Sequence, residues 1–179
     1  FSAGPGKSRL GERLLGDLNL VSDPTDKRLP ELPFDPEGTP RARQVFIEGG
    51  VLKSMYVSRY WAKKTNQKAT PLPGNLIASG GKVDREIIQG LDSGLLVSRV
   101  WYTNVVDPKT LTLTGLTRDG VFWVEGGHIV DSVNNFRFNQ SLIAMFNETE
   151  AYGPAERIGH LAPSLRCSSF YMSTKSDAI

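Results

Sequence analysis

The chain reads as an α+β protein, a largely antiparallel sheet with β-hairpins and three or four short helices, and three observations lead there. Residues 116–139, LTRDGVFWVEGGHIVDSVNNFRFN, carry the first. Val121, Phe122, Trp123 and Val124 are apolar and β-prone, Glu125-Gly126-Gly127 supplies the positive φ of a tight turn, and His128-Ile129-Val130 opens a returning strand. The second is a near copy: Phe46-Ile47-Glu48-Gly49-Gly50-Val51-Leu52 matches Trp123-Val124-Glu125-Gly126-Gly127-His128-Ile129 in residue type and spacing. The third is that short apolar runs bounded by Gly, Pro and Asp outnumber helical stripes, giving about six to nine strands.

Two copies fall short of a solenoid, which needs at least about three stacked units. They suit either one sheet-rich domain that reuses a hairpin or two independent turns that settled on the same Glu-Gly-Gly solution. Both readings stay open, and neither implies chemistry.

In chain order, Ser8 is expected to cap a short helix through Leu14, with Glu12 near its start and Gly16 ending it. A strand follows over residues 18–21. Residues 23–43 are loop, because Pro24, Pro30, Pro33, Pro36 and Pro40 forbid a continuous helix or central strand. Within it, Pro33-Phe34-Asp35-Pro36-Glu37-Gly38 forms a turn in which Asp35 accepts from backbone donors, Phe34 plugs a core edge, and the two carboxylates are solvated. The first hairpin occupies residues 43–53, and a helix follows over 55–65 with Tyr56, Tyr60 and Trp61 inward. After a breaker at 70–74 and a strand at 75–78, Asp84 begins a helix striped by Ile87, Ile88 and Leu91 and stopped by Gly94.

Residues 95–102 are a strand and 103–109 a loop with turn chemistry at Asp107-Pro108-Lys109-Thr110, before a strand over 111–116. The alternation after Val133 gives one more strand, then a helix capped at Asn139 and running over 140–148 with Leu142, Ile143 and Phe146 inward. Tyr152-Gly153-Pro154 breaks it, and a strand over 164–172 closes the chain.

Charge narrows the function classes. Twenty-one basic against nineteen acidic residues leave +2, too weak a net field to point to nucleic acid or an anionic membrane. The densest basic piece, Arg59, Lys63, Lys64 and Lys68 around Tyr60-Trp61, has the makings of a nucleic-acid surface, but is read as a solvated helix face with its aromatics in the core. No apolar run approaches the roughly 20 residues that span a bilayer, so a soluble protein is expected. The single cysteine excludes an internal disulfide and fits a reducing compartment, with the cytoplasm as default. The start at Phe1, without a signal-peptide pattern, is read as a cut or processed end with sequence missing upstream.

Catalytic constellations are thin. Gly4-Pro5-Gly6-Lys7-Ser8 ends like a phosphate-binding loop, but the Gly required five positions before the Gly-Lys pair is Phe1, and Pro5 removes a backbone donor. His128, His160 and Cys167 are the only imidazoles and thiol, so a zinc site would need nearly all of them plus a carboxylate. His128 follows a hairpin turn, where exposure is expected. Cys167 lies in the closing strand and reads as a core cysteine, although spacing alone leaves a Cys-His pair with His160 open. No Gly-x-Ser-x-Gly elbow is present.

The order Pro33-Phe34-Asp35-Pro36-Glu37-Gly38, Phe46-Ile47-Glu48-Gly49-Gly50-Val51-Leu52-Lys53 and Ser58-Arg59-Tyr60-Trp61-Ala62-Lys63-Lys64 resembles the C-terminal part of the TldD/PmbA (TldD/TldE) family. The later order Gly94-Leu95-Leu96-Val97, residues 121–129, and Asn139-Gln140-Ser141-Leu142 resembles it too, so that the likeness runs from about Arg9 to the closing strand. It implies a cytoplasmic protein, and a setting in which TldD and TldE subunits together form a zinc-dependent peptidase that processes peptides and unstructured chains. In that family the metal belongs to the TldD-type subunit, held by a His-Glu-x-x-x-His motif and a downstream Cys. This chain has no His-Glu, and in the family layout the motif would lie upstream of Phe1. The downstream Cys should fall within 152–159, where there is none, and Cys167 does not match it. The Pro-Phe-Asp turn and the missing ligand look more like the PmbA (TldE) side.

The resemblance thus implies that residues 1–179 are one C-terminal domain of a longer protein, a non-metallic subunit with no cofactor of its own. Zinc is expected in a TldD-type partner. Its partners would be a TldD-like subunit or a second copy, and a peptide substrate, with neither nucleic acid nor membrane. The other class is a non-enzymatic binding protein of the "modulator of DNA gyrase" type. For the peptide, the expected contacts are the loop Tyr102-Thr103-Asn104 at a strand end, offering an aromatic, a hydroxyl and an amide to an extended backbone, and Arg118, in the turn before the second hairpin, with a fork for a carboxylate.

Overall fold

Strands make up most of the regular structure: across residues 7–173, which the computed structural model describes, eleven strands and two short α-helices follow one another. They group into two compact units, one of residues 10–81 and 154–164, the other of residues 7–9, 82–153 and 165–173.

In the first unit, β1 (Asn19–Ser22) lies between β2 (Gln44–Glu48) and β4 (Ile77–Ser79), antiparallel to both. β3 (Val51–Leu52) returns from β2 through Gly49-Gly50, at φ 53° and 77°, the left-handed pair that a two-residue hairpin turn requires. Beyond β4 the sheet continues through β10 (His160–Cys167) to β9 (Thr149–Ile158), with Leu161 opposite Ile77 in parallel register. Leu29, Ile77 and Leu161 are buried together against Val21.

The proline-rich loop is held from inside by polar groups. Asn75, fully buried, accepts from Ser22 Oγ at 3.0 Å and Asp23 N at 2.9 Å, and its amide donates to the carbonyls of Asp23 and Leu29, both at 2.6 Å. Asp35 does bond backbone donors, accepting from Glu37, Thr39 and Leu72 N–H groups at 2.8–2.9 Å. It is buried rather than solvated, because these three donors replace water; the Leu72 bond, joined by those of Thr39 and Glu37, outweighs desolvation and holds the carboxyl below its ordinary range. Phe34 does not plug the core. It is exposed, since its bridge to Pro40 turns it outward.

The helix expected over residues 8–14 is replaced by strand-like pairing. Gly11 N donates to Leu52 O, Leu52 N to Glu12 O, and Leu14 N to Gly50 O, so this segment's backbone bonds go to the first hairpin. The helix expected over 55–65 is α1 (Arg59–Thr65), capped by Ser58, whose hydroxyl accepts from Trp61 N, and closed by Asn66 at φ 53°. Its aromatics face outward, against expectation: Tyr60 is 66% and Trp61 52% exposed, and Ala62 is the only buried residue of the helix. A seven-residue helix packed on one alanine has no room inward for indole or phenol, and Lys64 Nζ instead sits 4.8 Å from the Trp61 ring.

In the second unit, β5 (Ser93–Asp107) and β6 (Thr112–Glu125) form a long antiparallel ribbon. The other edge of β6 is shared: β8 (Arg137–Ser141) pairs with residues 112–116 and β7 (His128–Val133) with residues 121–125. β11 (Met172–Ser173) extends the sheet from β8. The β6–β7 turn uses Gly126 and Gly127 at φ 54° and 78°, matching the first hairpin within a degree, so both expected hairpins and the strand after the second are present. Val121, Val124, Phe138, Ala151 and Tyr152 are buried.

The helix expected from Asp84 is a run of turns. Arg166 is the cause: its guanidinium bonds Asp84 and takes the Ile87 carbonyl, which a helix would keep, and occupies the space a side chain at residue 90 would fill. The helix after β8 is α2 (Leu142–Asn147), capped by Ser141, whose hydroxyl accepts from Ala144 N, two positions later than expected. Tyr152-Gly153-Pro154 does not break the chain but lies within β9, because Tyr152 N and O bond the backbone of Lys82 and Asp84. The closing strand is divided between β10 and β11. None of the helices among the described residues is long and apolar enough to cross a membrane.

Candidate functional site

Tyr102, Thr103 and Asn104 are not in a loop at a strand end but in the middle of β5, and Arg118 is not in a turn but paired across the ribbon with Arg99. Two bulges explain the difference. Between Val97 and Arg99 on β5 there is one residue, while Asp119 and Gly120 stand opposite on β6; further along, Tyr102 and Thr103 on β5 stand opposite Gly115 alone. Local patterning reads such irregularities as turn or loop, although the ladder continues through them.

The bulges leave left-handed backbone at Tyr102 (φ 48°), Asp119 (φ 63°) and Gly120 (φ 123°). For an aromatic residue this is a strained conformation, of order 1–3 kcal/mol, which the surrounding pairing has to hold. Asn104 contributes to that, its side-chain amide donating to Tyr102 O at 2.9 Å. The Tyr102 ring is 69% exposed and stands edge-on to Trp101 with centroids 5.4 Å apart. Gly115 is where Phe138 and the Trp101 carbonyl close in, both within 2.8 Å of any Cβ placed there.

Trp101 is the centre of a cluster. The Arg99 guanidinium carbon lies 4.4 Å and that of Arg118 5.0 Å from its ring centroid, and its buried indole N–H has no partner among the described residues. Directly opposed like charges destabilise a ladder. Here the indole and Asp119 offset the repulsion: Asp119 accepts from Arg99 Nη1 at 2.9 Å and stands 3.5 Å from Arg118 Nε. About half of each charged side chain is exposed. Arg99, Trp101 and Asp119 were not among the expected residues, and the one sequence signal for them is the i, i+2 spacing of Arg99 and Trp101, which shares a face only if the segment is strand.

β5 ends the order of its sheet, so among the described residues its outer edge is unpaired, and Val100, Val105 and Val106 are exposed along it. Such an edge offers backbone donors and acceptors to an extended chain.

The residues that could ligate a metal do not converge. Among the described residues, no three of His, Cys, Asp and Glu are grouped to hold an ion. His128 is exposed at the mouth of the second hairpin, and His160 is exposed at the start of β10. Cys167 is only half-buried, not a core cysteine, because its strand ends there; its thiol lies 3.5 Å from Thr149 Oγ1. Burial, more than the Thr149 bond offsets, pushes that thiol above its ordinary range, with the carboxylates of Glu148 and Glu150 adding to it. A zinc-binding cysteine must be deprotonated, so this environment does not fit zinc.

The chain has relatives among known proteins. The profile of the PmbA/TldA metallopeptidase C-terminal domain matches residues 2–174. A metalloprotease of Archaeoglobus fulgidus is 29% identical over 163 residues, covering 89% of this chain and 33% of its own length. A metalloprotease PmbA homolog of Haemophilus influenzae is 29% identical over 131 residues, covering 67% of this chain and 28% of its own. The chain therefore spans about a third of the length of these relatives. Among solved structures, TldE from Thermococcus kodakarensis superposes with a TM-score of 0.79 at 19% identity, over 94% of this chain and 42% of that one, a likeness of fold.

Proposed function

The chain belongs to the PmbA/TldA metallopeptidase family, whose C-terminal domain it matches, and from that premise we propose that it is part of a PmbA/TldE-like, non-metallic subunit of a TldD/TldE-type peptidase complex. In this reading the subunit holds peptides and unfolded chains, without a cofactor of its own, for a zinc-bearing TldD-like partner or a second copy. The observation that carries it is the free edge of β5, where a strained, exposed Tyr102 stands beside Asn104 and the Arg118 cluster. An extended segment would add to that edge through backbone bonds, stack on Tyr102, and meet Thr103, Asn104 and Arg118 as polar contacts. The scatter of the metal-ligating residues among the described ones, and a Cys167 thiol that burial makes harder to deprotonate, support the non-metallic assignment.

Two measurements test this. With the full-length protein assembled with its metal-bearing partner, the Asn104→Ala/Arg118→Ala variant is expected to cleave an unstructured peptide about tenfold more slowly, the effect of losing about 1.4 kcal/mol of binding. Unchanged cleavage by an intact complex would remove these residues from the site. Separately, this chain dialysed after purification is expected to retain no zinc. One bound equivalent, lost on replacing His160 or Cys167, would overturn the non-metallic reading.

A further inference from the structure

The Arg99–Arg118 pair has more positive charge and more donors than its surroundings use. Each guanidinium has five N–H donors, yet among the described residues the polar contacts made by the pair are one hydrogen bond and one ion pair, both to Asp119. Two cations against one anion leave a local charge of +1, half-exposed and stacked on Trp101, which keeps both planes in place. A planar fork that is held rigid and short of an anion suits a carboxylate.

The position of the cluster says which carboxylate. A peptide pairing with the outer edge of β5 follows a regular ladder only as far as the Tyr102-Thr103 bulge, where the backbone turns left-handed and edge pairing is interrupted. Trp101, Arg99 and Arg118 lie immediately on one side of that interruption. A strand that stops there brings its end to the guanidinium pair. We propose that this site reads the C-terminal carboxylate of an extended peptide, so that the chain selects ends rather than internal segments. This rests on the peptide-holding role argued above and specifies its substrate class.

The test uses the full-length protein and three fluorescent peptides of one apolar, unstructured sequence: the free acid, its C-terminal amide, and the amide with one internal Glu. Anisotropy is expected to show the free acid binding about tenfold or more tightly than either amide at low salt, with the advantage shrinking as salt rises. Arg99→Gln and Arg118→Gln should each abolish the preference, so that the free acid binds no more tightly than the amide. Arg118→Lys, which keeps the charge and guards against misfolding of the Gln variants, should restore it in part. Equal binding of acid and amide would overturn end-reading while leaving peptide-holding intact. The same gain from the internal Glu would overturn it in favour of an acidic side chain. Failure of all three peptides to bind, or their displacement by a single-stranded oligonucleotide, would overturn the peptide reading and this inference with it.

Discussion

Replacing Gly50 by Ala is expected to destabilise the first unit severely, by about 3 kcal/mol or more, while Gly49→Ala costs about 1 kcal/mol. Both glycines have positive φ, so both alanines carry the conformational penalty. Only at Gly50 does a Cβ meet anything: it would lie 2.0 Å from the Gly16 carbonyl oxygen, whereas the same addition at Gly49 meets nothing within 4 Å. The close approach is bonded as well. Gly50 N donates to Leu18 O, and Leu14 and Leu15 N–H groups both point at Gly50 O, so relief of the clash would break the attachment of residues 14–18. Urea denaturation of wild type, Gly49→Ala and Gly50→Ala separates the terms. Equal midpoints for the two variants would show that only the turn conformation matters.

The second large effect is expected at Asn75. Asn75→Ala leaves Asp23 N–H, Ser22 Oγ and the Asp23 and Leu29 carbonyls without their partner in a buried setting, at a cost on the order of 3–5 kcal/mol. Asn75→Asp should be no better despite its matching shape, because a carboxylate oxygen would face two carbonyl oxygens at the positions where the amide donates. Backbone hydrogen exchange at Asp23 and Leu29 and proteolysis within residues 23–43 are the readouts, both expected to accelerate. An unchanged exchange rate at Asp23 would mean that the prolines alone order the loop.

These two sites also show what could be read before the structure. The Glu-Gly-Gly hairpins were legible because the turn, the positive φ and the flanking β-prone residues are local facts. Their use was not. In each copy the second glycine, Gly50 or Gly127, is the one against which a distant backbone packs, Gly16 in one case and Gln89 in the other, while the first faces open space. The repeat is thus a docking device as well as a turn. The Ile87, Ile88 and Leu91 stripe promised a helix, and was overruled by Arg166, seventy-nine positions after the carbonyl it takes. At residues 8–14, likewise, the capping pattern yielded to hydrogen bonds with Gly50 and Leu52.

The candidate site shows the same division between what is local and what is not. Tyr102, Thr103, Asn104 and Arg118 stood out as polar and aromatic residues at apparent strand ends. What joins them to Arg99, Trp101 and Asp119 is a register that only the paired strands possess. Nor did composition reveal that Tyr60 and Trp61 would be carried on the outside, since that follows from how little of α1 is buried.

The two bulges of the β5–β6 ribbon also bear on how this part of the chain can change in length. One adds a residue to β6, the other a residue to β5, so the three pairs between them, Arg99–Arg118 to Trp101–Leu116, run one step out of phase with the pairs on either side, Val97–Val121 and Asn104–Thr114, which are in phase with each other; a third irregularity follows between Val105 and Asp107. Loss of the extra residue at either bulge leaves the pairs on both sides of it as they are, since Val97–Val121 and Arg99–Arg118, or Trp101–Leu116 and Asn104–Thr114, are then joined by a regular ladder step. Neither loss calls for a compensating one at the other bulge. Single-residue deletions at these two places should therefore be accepted one at a time, whereas a deletion in a regular stretch of the ribbon reverses the faces of the strand beyond it.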